Sequence, residues 1–392
     1  MIDKDVDFNK CNGCGACVNV CPKGCISMVP NSEGFLYPKI NYSNCIKCNL
    51  CSRNCPVLFD TSKLISTHNL ICFSGYYNSE NILKSSSGGM GQAFYRYFIN
   101  KNGVCYGVKY DEDFLTAKYF RFTDLEDINY SIGSKYIQAE KGNIFKSVIS
   151  DLKNGEKVLF IGTPCDVAAL KVLTKDNGNK LITIELICHG VTSSLVQKKY
   201  LEDNNKDNKK ITGFSVRYKK NKWLPKYLKC DFANKKSLVE NFDNSDYGIA
   251  FSKFSRLSCH NCKFKGDNKV ADITIGDFWG VNKSSKIYNE KGTSVVFVHT
   301  KKGAEFLSEI PDLSLSEIPL TYGKKGNPYI YESHEISKER YVFSSNLQKT
   351  TLKKAIKKSF SFRFRNKKYI PKIFKNFYKK LKKSIKGENR FN

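Results

Sequence analysis

Eight cysteines near the N-terminus repeat one spacing twice. The first run comprises Cys11, Cys14, Cys17 and Cys21, followed by Pro22, and the second comprises Cys45, Cys48, Cys51 and Cys55, followed by Pro56. Thiolate sulfur is a preferred ligand of iron–sulfur clusters. A 4Fe-4S cluster is a cube whose four iron corners each take one thiolate, so the two runs supply enough ligands for two clusters.

Each run reads C-x2-C-x2-C-x3-C-P, which is the ligand pattern of bacterial ferredoxins with two clusters. In those proteins the fourth cysteine of each run binds the cluster of the other run. We therefore predict a first cluster on Cys11, Cys14, Cys17 and Cys55. We predict a second cluster on Cys45, Cys48, Cys51 and Cys21. Clusters held in this way lie close enough for electron tunnelling, so the chain handles electrons.

Two other uses of these cysteines fit the pattern less well. Zinc takes four ligands in a tetrahedron and is usually bound by paired C-x2-C units rather than by two quartets that end in proline. A disulfide framework requires an oxidising compartment, and no signal peptide opens this sequence. Cys25 stands outside both runs and is interpreted as a small packed residue.

Length and composition indicate a globular protein with a core. The chain has 392 residues, of which 41% are hydrophobic, and no apolar run is long enough to span a bilayer. Sixteen cysteines without an export signal indicate a reducing compartment and metal binding. We therefore expect a cytoplasmic location.

The residue pattern predicts the elements that position these cysteines. Residues 1–60 form the two-cluster module, with a short helix after each ligand loop, a hairpin strand in Gly34–Ile40 and a polar linker after it. Later strands are predicted at Ile71–Tyr77, Val104–Tyr110, Lys157–Gly162, Leu181–Ile187, Phe214–Tyr218, Tyr227–Phe232, Ala271–Trp279 and Val295–Thr300, the last of them closing the core. Helices are predicted at Gln92–Asn100 and Val167–Leu173.

A Ser/Gly turn at Ser85–Gly91 connects the strand Ile71–Tyr77 to the helix Gln92–Asn100. Such a turn places backbone N–H groups at a helix N-terminus, where phosphate binds well. The alternative is a plain loop, because the pattern is a weak signal when it stands alone. The sequence has no G-x-G-x-x-G unit, which disfavours nicotinamide binding by a Rossmann fold.

Four later cysteines also lie in turns. Cys165 and Cys188 each follow a predicted strand, and Cys259 and Cys262 form a C-x2-C pair. Two strands that both end in a cysteine-bearing turn suggest a parallel pair with a site at its carboxyl end. The spacing alone is compatible with a metal site and equally with four separate buried cysteines.

Six motifs occur in an order that resembles a known family. They are Ser86-Ser87-Gly88-Gly89, Gly133-Ser134-Lys135-Tyr136, Gly162-Thr163-Pro164-Cys165, Ile187-Cys188-His189-Gly190, Cys259-x2-Cys262-Lys263-Phe264 and Asp272-Ile273-Thr274-x2-Asp277-Phe278-Trp279-Gly280. Together they resemble the family of coenzyme F420 hydrogenase and dehydrogenase beta subunits, over about residues 71–310.

The resemblance implies a non-covalent FAD and a third 4Fe-4S cluster. Carried onto this sequence, it assigns the third cluster to Cys165, Cys188, Cys259 and Cys262. It also implies that FAD is bound by Ser87, Gly88, Gly89 and Thr163. Lys135 would place a positive charge near the isoalloxazine or the substrate, and the alternative is a solvated surface lysine.

The predicted fold class is α+β or α/β. A two-cluster ferredoxin-like module at 1–60 is followed by a mixed α/β flavin-binding domain and a basic helical C-terminal tail. Within the middle domain, the N-terminal region of the family covers 71–150 and its C-terminal region, with the flavin and the third cluster, covers 151–315. The tail covers 345–392.

The predicted function is that of an iron–sulfur flavoprotein oxidoreductase. It would pass electrons through FAD between 4Fe-4S clusters and a hydride-type substrate, either the deazaflavin coenzyme or an intermediate of a cell-surface polysaccharide pathway. His189 is the candidate proton donor at the reduced site. The alternative is a ferredoxin-like electron-transfer protein that has no substrate of its own and serves a membrane-associated partner.

The tail carries much of the net charge of +28. From Lys349 onward there are seventeen Lys and Arg residues and one acid, Glu388. From Pro371 the apolar residues lie on one stripe of a predicted basic helix. Such a helix suits an anionic membrane surface. The alternatives are a helix docked on the body of the protein and a disordered tail. We expect a redox partner protein or soluble carrier and peripheral contact with the inner face of the membrane. We expect no nucleic acid, because no binding motif accompanies the charge.

Overall fold

A nine-stranded mixed sheet forms the centre of the computed structural model, which describes residues 1–64, 70–175 and 180–360. The strands are β1 Ile26–Pro30, β2 Leu36–Ile40, β3 Ile71–Tyr77, β4 Val104–Tyr110, β5 Ala117–Phe122, β6 Ala139–Glu140, β7 Val158–Gly162, β8 Leu181–Leu186, β9 Ile211–Tyr218, β10 Tyr227–Phe232, β11 Ser237–Asn241, β12 Ile273–Asp277, β13 Ser294–Val298 and β14 Leu313–Glu317. The α-helices are α1 Ile2–Asp5, α2 Ala16–Val20, α3 Leu50–Arg53, α4 Met90–Asn100, α5 Ile128–Ser131, α6 Ile144–Lys153, α7 Pro164–Thr174, α8 Ser194–Asn204, α9 Asp246–Lys253, α10 Lys301–Ser308, α11 Leu320–Lys325, α12 Glu339–Lys349 and α13 Leu352–Ser359.

The central sheet has the order β14-β3-β13-β12-β8-β7-β4-β5-β6. Its middle strands β12, β8, β7 and β4 run parallel to one another. On one side of them β13, β3 and β14 continue the sheet by antiparallel pairing, and on the other side β5 pairs antiparallel with β4. The carboxyl ends of β7, β8 and β12 therefore meet at one edge.

Helices cover both faces of this sheet because successive side chains of its strands point alternately into two cores. On β7, Leu159 and Ile161 contribute to the core that includes helices α4 and α10. Val158 and Phe160 contribute to the opposite core, which includes α6 and α7. A buried parallel sheet with helices on both faces is the α/β arrangement, so the middle domain belongs to that class.

The N-terminal module packs directly on the second of these cores. Cys14 and Ala16, at the start of α2, lie in the same buried cluster as residues of α6 and α7. The β1–β2 hairpin pairs antiparallel, from Ile26 opposite Ile40 to Pro30 opposite Leu36. The prediction of an N-terminal ferredoxin-like module before a mixed α/β domain agrees with this arrangement.

A second, three-stranded sheet of order β11-β10-β9 packs with α8, α9, α12 and α13. Leu347, Leu352 and Ile356 are buried in its core. Residues 345–360, which the sequence assigned to the tail, thus form part of the folded body. We propose that the tail begins after Phe360; the basic helix predicted from Pro371 lies outside the described residues.

Most predicted strands agree with the structure to within a few residues, but two predictions were wrong. Val295–Thr300 was expected to be the last core strand, whereas β14 follows it and pairs with β3. The two ligand loops were expected to precede short helices, whereas α2 and α3 begin inside the loops and contain Cys17 and Cys51. Within the described residues, no helix is both long and apolar enough to cross a membrane.

A buried ion pair joins the N-terminal hairpin to the C-terminal helices. Arg340 of α12 is fully buried, and its guanidinium donates to both carboxylate oxygens of Glu33 at 3.0 and 2.8 Å. The same guanidinium donates to the carbonyl of Ser255, and the hydroxyl of Ser344 donates to Glu33 at 2.6 Å. This bidentate geometry fixes the module against the body.

We expect Glu33→Ala to lower the free energy of unfolding by about 3 kcal/mol, because it leaves the buried guanidinium of Arg340 without its carboxylate. The control Glu305→Ala removes only the exposed Lys301–Glu305 pair and should change stability by less than about 0.5 kcal/mol. The measurement is anaerobic urea unfolding followed by circular dichroism, on samples with equal iron content. Equal losses in the two variants would contradict the assigned role of the pair.

Candidate functional site

The loop of the first cysteine run is shaped by glycines. Gly13 and Gly15 have φ of 65° and 74°, a region that favours glycine. A Cβ on Gly13 would lie 2.2 Å from the side-chain nitrogen of Gln138 and 2.8 Å from the carbonyl oxygen of Leu36. The loop is therefore held closely against the rest of the protein, and only glycine fits there.

The structure brings Cys55 to the first run, as the predicted exchange of fourth ligands requires. We call Cys11, Cys14, Cys17 and Cys55 the first set. Burial raises the pKa of the Cys14 thiol to about 12, and the neighbouring thiols of Cys55 and Cys11 contribute to that rise. Burial also raises the pKa of Cys17, with added contributions from Cys14, Cys11 and Cys55. These four thiols thus lie within electrostatic range of one another.

Cys21 lies with the second run instead. We call Cys45, Cys48, Cys51 and Cys21 the second set, and all four line one cavity together with Met1, Ile26 and Ile40. The two sets adjoin each other, because Cys17, Cys21, Cys51 and Cys55 belong to one buried cluster. The donor chemistry and the cavity fit two clusters side by side. The assignment of individual ligands stays a prediction.

Cys25 lies closer to this site than the sequence suggested. Its Sγ is 3.4 Å from the Sγ of Cys21, and its side chain lines the same cavity. We predicted a small packed residue, and Cys25 is indeed buried. Its thiol is nevertheless placed where it can replace Cys21.

The four later cysteines converge from three parts of the chain. Cys165 is in the first turn of α7, directly after β7, and Cys188 follows β8, which pairs in parallel with β7. Cys259 and Cys262 lie in and just after a short 3-10 helix, Leu257–Asn261. We call Cys165, Cys188, Cys259 and Cys262 the third set.

Electrostatic contacts connect the thiols of the third set. Burial raises the pKa of Cys188 to about 12, and the thiols of Cys259 and Cys262 contribute to that rise. The pKa of Cys165 is also raised by burial, with a contribution from Cys262. Buried thiols of this kind stay protonated until a metal binds, so cluster binding would release protons.

Cations and imidazoles surround the third set. The ammonium of Lys265 donates to the backbone carbonyls of Cys188 and Tyr329, and its charge acts on the thiols of the set. The ring of His189 stacks on His334 with centroids 4.3 Å apart. Burial, with the nearby charge of Lys265, lowers the pKa of His189 to about 4. The imidazole is therefore neutral at pH 7, and its role as proton donor stays a prediction.

Lys263 connects the third set to the N-terminal module. Its ammonium donates to the carbonyls of Pro56, Val57 and Phe59 at 3.1, 2.9 and 2.5 Å, immediately after Cys55. Cys165 and Cys262 also pack against the buried cluster that contains Cys14. The three sets therefore form a row in which the first set lies between the third and the second.

No group of three or more His, Cys, Asp or Glu side chains in the described part of the chain converges on one point closely enough to hold a single metal ion. A single zinc ion needs its four ligands within one bond length of one point. A cube of four irons takes one thiolate at each corner, so its ligands lie further apart. Each set supplies the four thiolates that a 4Fe-4S cluster takes, and a cluster on the third set stays a prediction.

The residues predicted to bind FAD lie in two different places in the structure. The hydroxyl of Ser87 donates to the carbonyl of Thr293 at 2.9 Å, and the N–H of Gly88 donates to the hydroxyl of Ser294 at 2.9 Å. These two groups thus anchor the Ser/Gly turn to the start of β13. Gly89, with φ of 84°, precedes α4, whose N-terminus has no side-chain cap. Thr163 lies with the third set, because its hydroxyl is 3.1 Å from the Sγ of Cys165.

One buried lysine, Lys219, lies against this turn, and a half-buried lysine, Lys135, lies in the segment next to it; neither pairs with a carboxylate among the described residues. Lys219 is 3% exposed and donates to the carbonyls of Ile82, Ser87 and Lys291. Lys135 donates to the carbonyls of Tyr130, Ser131 and Ile132, in the segment whose Ser134 N–H bonds the hydroxyl of Ser86. Burial lowers the pKa of both ammonium groups to about 7. Lys135 is half-buried and held by carbonyls of its own segment, and its place near the isoalloxazine or the substrate stays a prediction.

The sequence interpretation missed an arginine–carboxylate pair at the same turn. Arg217 of β9 donates to both oxygens of Asp277 at 2.7 and 2.9 Å, and also to the carbonyl of Ser86 and the hydroxyl of Tyr136. Asp277 accepts a further bond from the indole of Trp223 at 2.9 Å. Asp277 stood in a quoted motif at the end of β12, but nothing local pointed to Arg217 as its partner.

Comparison with known proteins identifies the two parts of the chain. Residues 155–318 match the family model for the C terminus of coenzyme F420 hydrogenase/dehydrogenase beta subunits, and residues 10–58 match the model for the 4Fe-4S dicluster domain. The chain thus carries the C-terminal domain of this beta-subunit family behind a 4Fe-4S dicluster domain. The predictions of this family, of an oxidoreductase and of 4Fe-4S clusters in the N-terminal module are thereby confirmed.

Similarity to individual relatives extends over most of this chain. It is 21% identical to the F(420)H(2) dehydrogenase F-subunit, from Methanosarcina mazei, over 88% of this chain and 98% of that one. It is 22% identical to the coenzyme F420-dependent sulfite reductase of Methanocaldococcus jannaschii, over 79% of this chain and 47% of that one. A chain of the F420-reducing [NiFe] hydrogenase complex of Methanosarcina barkeri aligns over 76% of this chain and 91% of its own, with 19% identity and a TM-score of 0.47.

Cysteine substitutions can test the prediction of a third cluster. We expect Cys259→Ala with Cys262→Ala to lower the iron content of anaerobically prepared protein from about twelve to about eight atoms per chain, because one four-iron cluster loses two ligands. The control Cys72→Ala with Cys230→Ala removes two buried thiols that lie in other cores and should keep the full iron content. An equal iron content in the two double variants would contradict a cluster on the third set.

The pair Cys21 and Cys25 allows a sharper test of the second set. We expect Cys25→Ala to keep all the iron, and the double variant Cys21→Ala with Cys25→Ala to lose about four atoms per chain. The single variant Cys21→Ala should lose less than the double one, because the neighbouring thiol of Cys25 takes over the ligand position. Iron counting and the EPR spectrum of the reduced clusters measure this. Loss of a whole cluster in Cys25→Ala alone would make Cys25 the native ligand.

Proposed function

We propose that this chain exchanges electrons with coenzyme F420 through bound FAD and passes them singly along three 4Fe-4S clusters. The two named relatives carry this coenzyme in their names, which supports the choice of substrate. The observation that carries the proposal is the continuous row of redox sites and packed side chains from the Ser/Gly turn to the surface of the N-terminal module.

The fit to FAD rests on charge. The N-terminus of α4 carries the positive end of the helix dipole, the ammonium of Lys219 bonds the carbonyl of Ser87 in the same turn, and Lys135 lies in the segment whose Ser134 N–H bonds Ser86. Burying an ammonium group without a carboxylate costs free energy, which an anion in the cleft would recover. A pyrophosphate has this charge, so these groups would hold it together with Gly89. Ser87 and Gly88 would then act by fixing the turn on β13.

A chain of aromatic contacts leads from this turn to the third set. Arg217 contacts both Ser86 and Tyr136, and the ring of Tyr136 stacks on Phe251 at 4.1 Å. Phe251 lies 5.0 Å from the ring of His189, which is adjacent to Cys188. These side chains form a continuous series of contacts between the turn and the thiols. They also fix the distance over which electrons would move.

When bound, FAD would take up a hydride as an electron pair and release the electrons one at a time. The third set would then pass each electron to the first set, which it meets through Lys263 and the shared core around Cys14. The second set would be the last to receive the electron within the chain. A polysaccharide intermediate as substrate, a carrier without its own substrate, and membrane contact through the tail stay predictions.

We expect Lys219→Met to weaken FAD binding roughly ten- to hundredfold, because the positive charge that Lys219 places beside the turn would be lost. The control Lys220→Met changes the adjacent exposed lysine and should leave the affinity unchanged. In the wild type, affinity should fall as the pH rises above about 7, since Lys219 must then take up a proton when the anion binds. Lys219→Arg should bind with a weaker dependence on pH.

The measurement is a fluorescence titration of FAD against anaerobically prepared protein between about pH 6 and pH 9, followed by oxidation of reduced coenzyme F420 with benzyl viologen as acceptor. Circular dichroism and iron content show that each variant is folded and loaded. Equal FAD affinities for Lys219→Met and Lys220→Met would contradict the assigned pyrophosphate site. Tight FAD binding without oxidation of reduced coenzyme F420 would contradict the proposal that this coenzyme is the substrate.

A further inference from the structure

The second set lies at the far end of the row from the Ser/Gly turn, and it is close to solvent. Cys45 and Cys48 are half-buried, and the residue after Cys45, Ile46, has 57% of its surface exposed. Tyr42, just before this loop, is 45% exposed. Large apolar side chains exposed at a ligand loop are available for contact with another molecule.

Basic residues surround this apolar spot. Lys23 lines the cavity of the second set, and Lys47 is exposed beside Ile46. Arg53 is also exposed and donates to the carbonyl of Cys48 at 3.0 Å. None of these three side chains pairs with a carboxylate among the described residues. Their charges are therefore available to an acidic partner.

The acids of this face are already engaged. Asp5 accepts from the α-amino group of Met1 at 2.7 Å and from the hydroxyl of Ser52 at 2.6 Å. Asp3 accepts from the hydroxyl of Tyr42 at 2.5 Å. Asp5 is thus neutralised by an ammonium group and Asp3 keeps its charge, so the three basic side chains of this face outnumber its one unbalanced acid. A small apolar centre inside a charged rim is the usual construction of a transient protein interface.

We propose that the face formed by Lys23, Tyr42, Ile46, Lys47 and Arg53 docks a small acidic one-electron carrier protein. On this face the carrier exchanges one electron at a time with the cluster of the second set: that cluster is oxidised by one electron and the carrier is reduced by one, or the reverse. The proposal rests on the proposed function, because it requires loaded clusters. Complementary charge speeds the encounter of such pairs and makes it sensitive to salt.

The test uses the double variant Lys23→Glu with Lys47→Glu of the full chain. Its matched control is Lys153→Glu with Lys157→Glu, which changes the net charge equally at exposed positions beside the opposite, amino end of β7. The probe is an oxidised, acidic two-cluster bacterial ferredoxin. Stopped-flow spectroscopy measures its reduction by dithionite-reduced, desalted protein at ionic strengths from about 20 to 500 mM, chosen to span strong and weak screening.

We expect the face variant to react at least ~10-fold more slowly than the wild type at low ionic strength, and the difference to disappear at high ionic strength. The control variant should stay within about twofold of the wild type. Ile46→Ser should slow the reaction at every ionic strength, because it removes apolar contact without a change in charge. Equal rates for the face variant and the wild type, or an equal loss in the control, would overturn the proposal.

Two further readouts separate this proposal from the proposed function. Iron content and reduction of benzyl viologen report on the clusters independently of docking. If the wild type holds no clusters or cannot reduce the dye, the proposed function fails. If all variants are loaded and reduce the dye, a loss of ferredoxin reduction confined to the face variants supports the docking face.

Discussion

The parallel pairing of β7 with β8 is the constraint on which the rest of the site depends. Ile161 pairs with Ile184 and Gly162 with Glu185, so the two strands end side by side. The turns that follow carry Cys165 and Cys188. Because the carboxyl ends of neighbouring parallel strands open into a crevice, these two thiols meet at one edge of the sheet. The C-x2-C pair and the N-terminal module are then positioned around that edge.

The distance between the cluster sites depends on polar contacts between distant parts of the chain. Arg256 donates to the carbonyl of Cys11 at 2.7 Å and lies over the ring of Tyr37 at 3.9 Å. Gln138 donates to the carbonyl of Gly13 and accepts from the N–H of Leu36. Both side chains are buried. An unsatisfied buried polar group is costly, so each contact resists any shift of the first ligand loop against the body.

Local patterns in the sequence were sufficient for most of the strands, and the doubled cysteine spacing predicts a ligand exchange that stays a prediction. Alternation and apolar runs predicted β3, β4 and β10 with the observed bounds, because each lies in a sheet whose faces are buried. The doubled cysteine spacing predicted that Cys55 would join Cys11 and Cys14. In both cases the information lies within a few residues, or in a motif whose geometry is fixed by the cube it binds.

The buried positions of Lys219 and Arg217 could not be predicted because the residues that they contact are remote in sequence. Lys219 stands beside Lys220 in a basic segment that has the composition of a solvated turn. Only folding brings it to the carbonyls of Ser87 and Lys291. Likewise Arg217 meets Asp277 through contact between the two sheets. Side chains whose partners come from another layer leave no periodic signal along the chain.

The ammonium groups of Lys219 and Lys135 bear on what the Ser/Gly turn is for. Lys219 reaches the turn from another sheet and Lys135 lies in the segment next to the turn, and both are held by backbone carbonyls in the described structure rather than by carboxylates. For stability alone, an apolar side chain of similar length would serve at least as well, since a buried charge without a counter-ion is costly. Perturbed ionisable groups gathered in one cleft are characteristic of functional sites. An anionic cofactor would bind to these positive charges and would offset the free energy that their burial costs on folding. Binding of the cofactor would therefore also stabilise this edge of the sheet against unfolding.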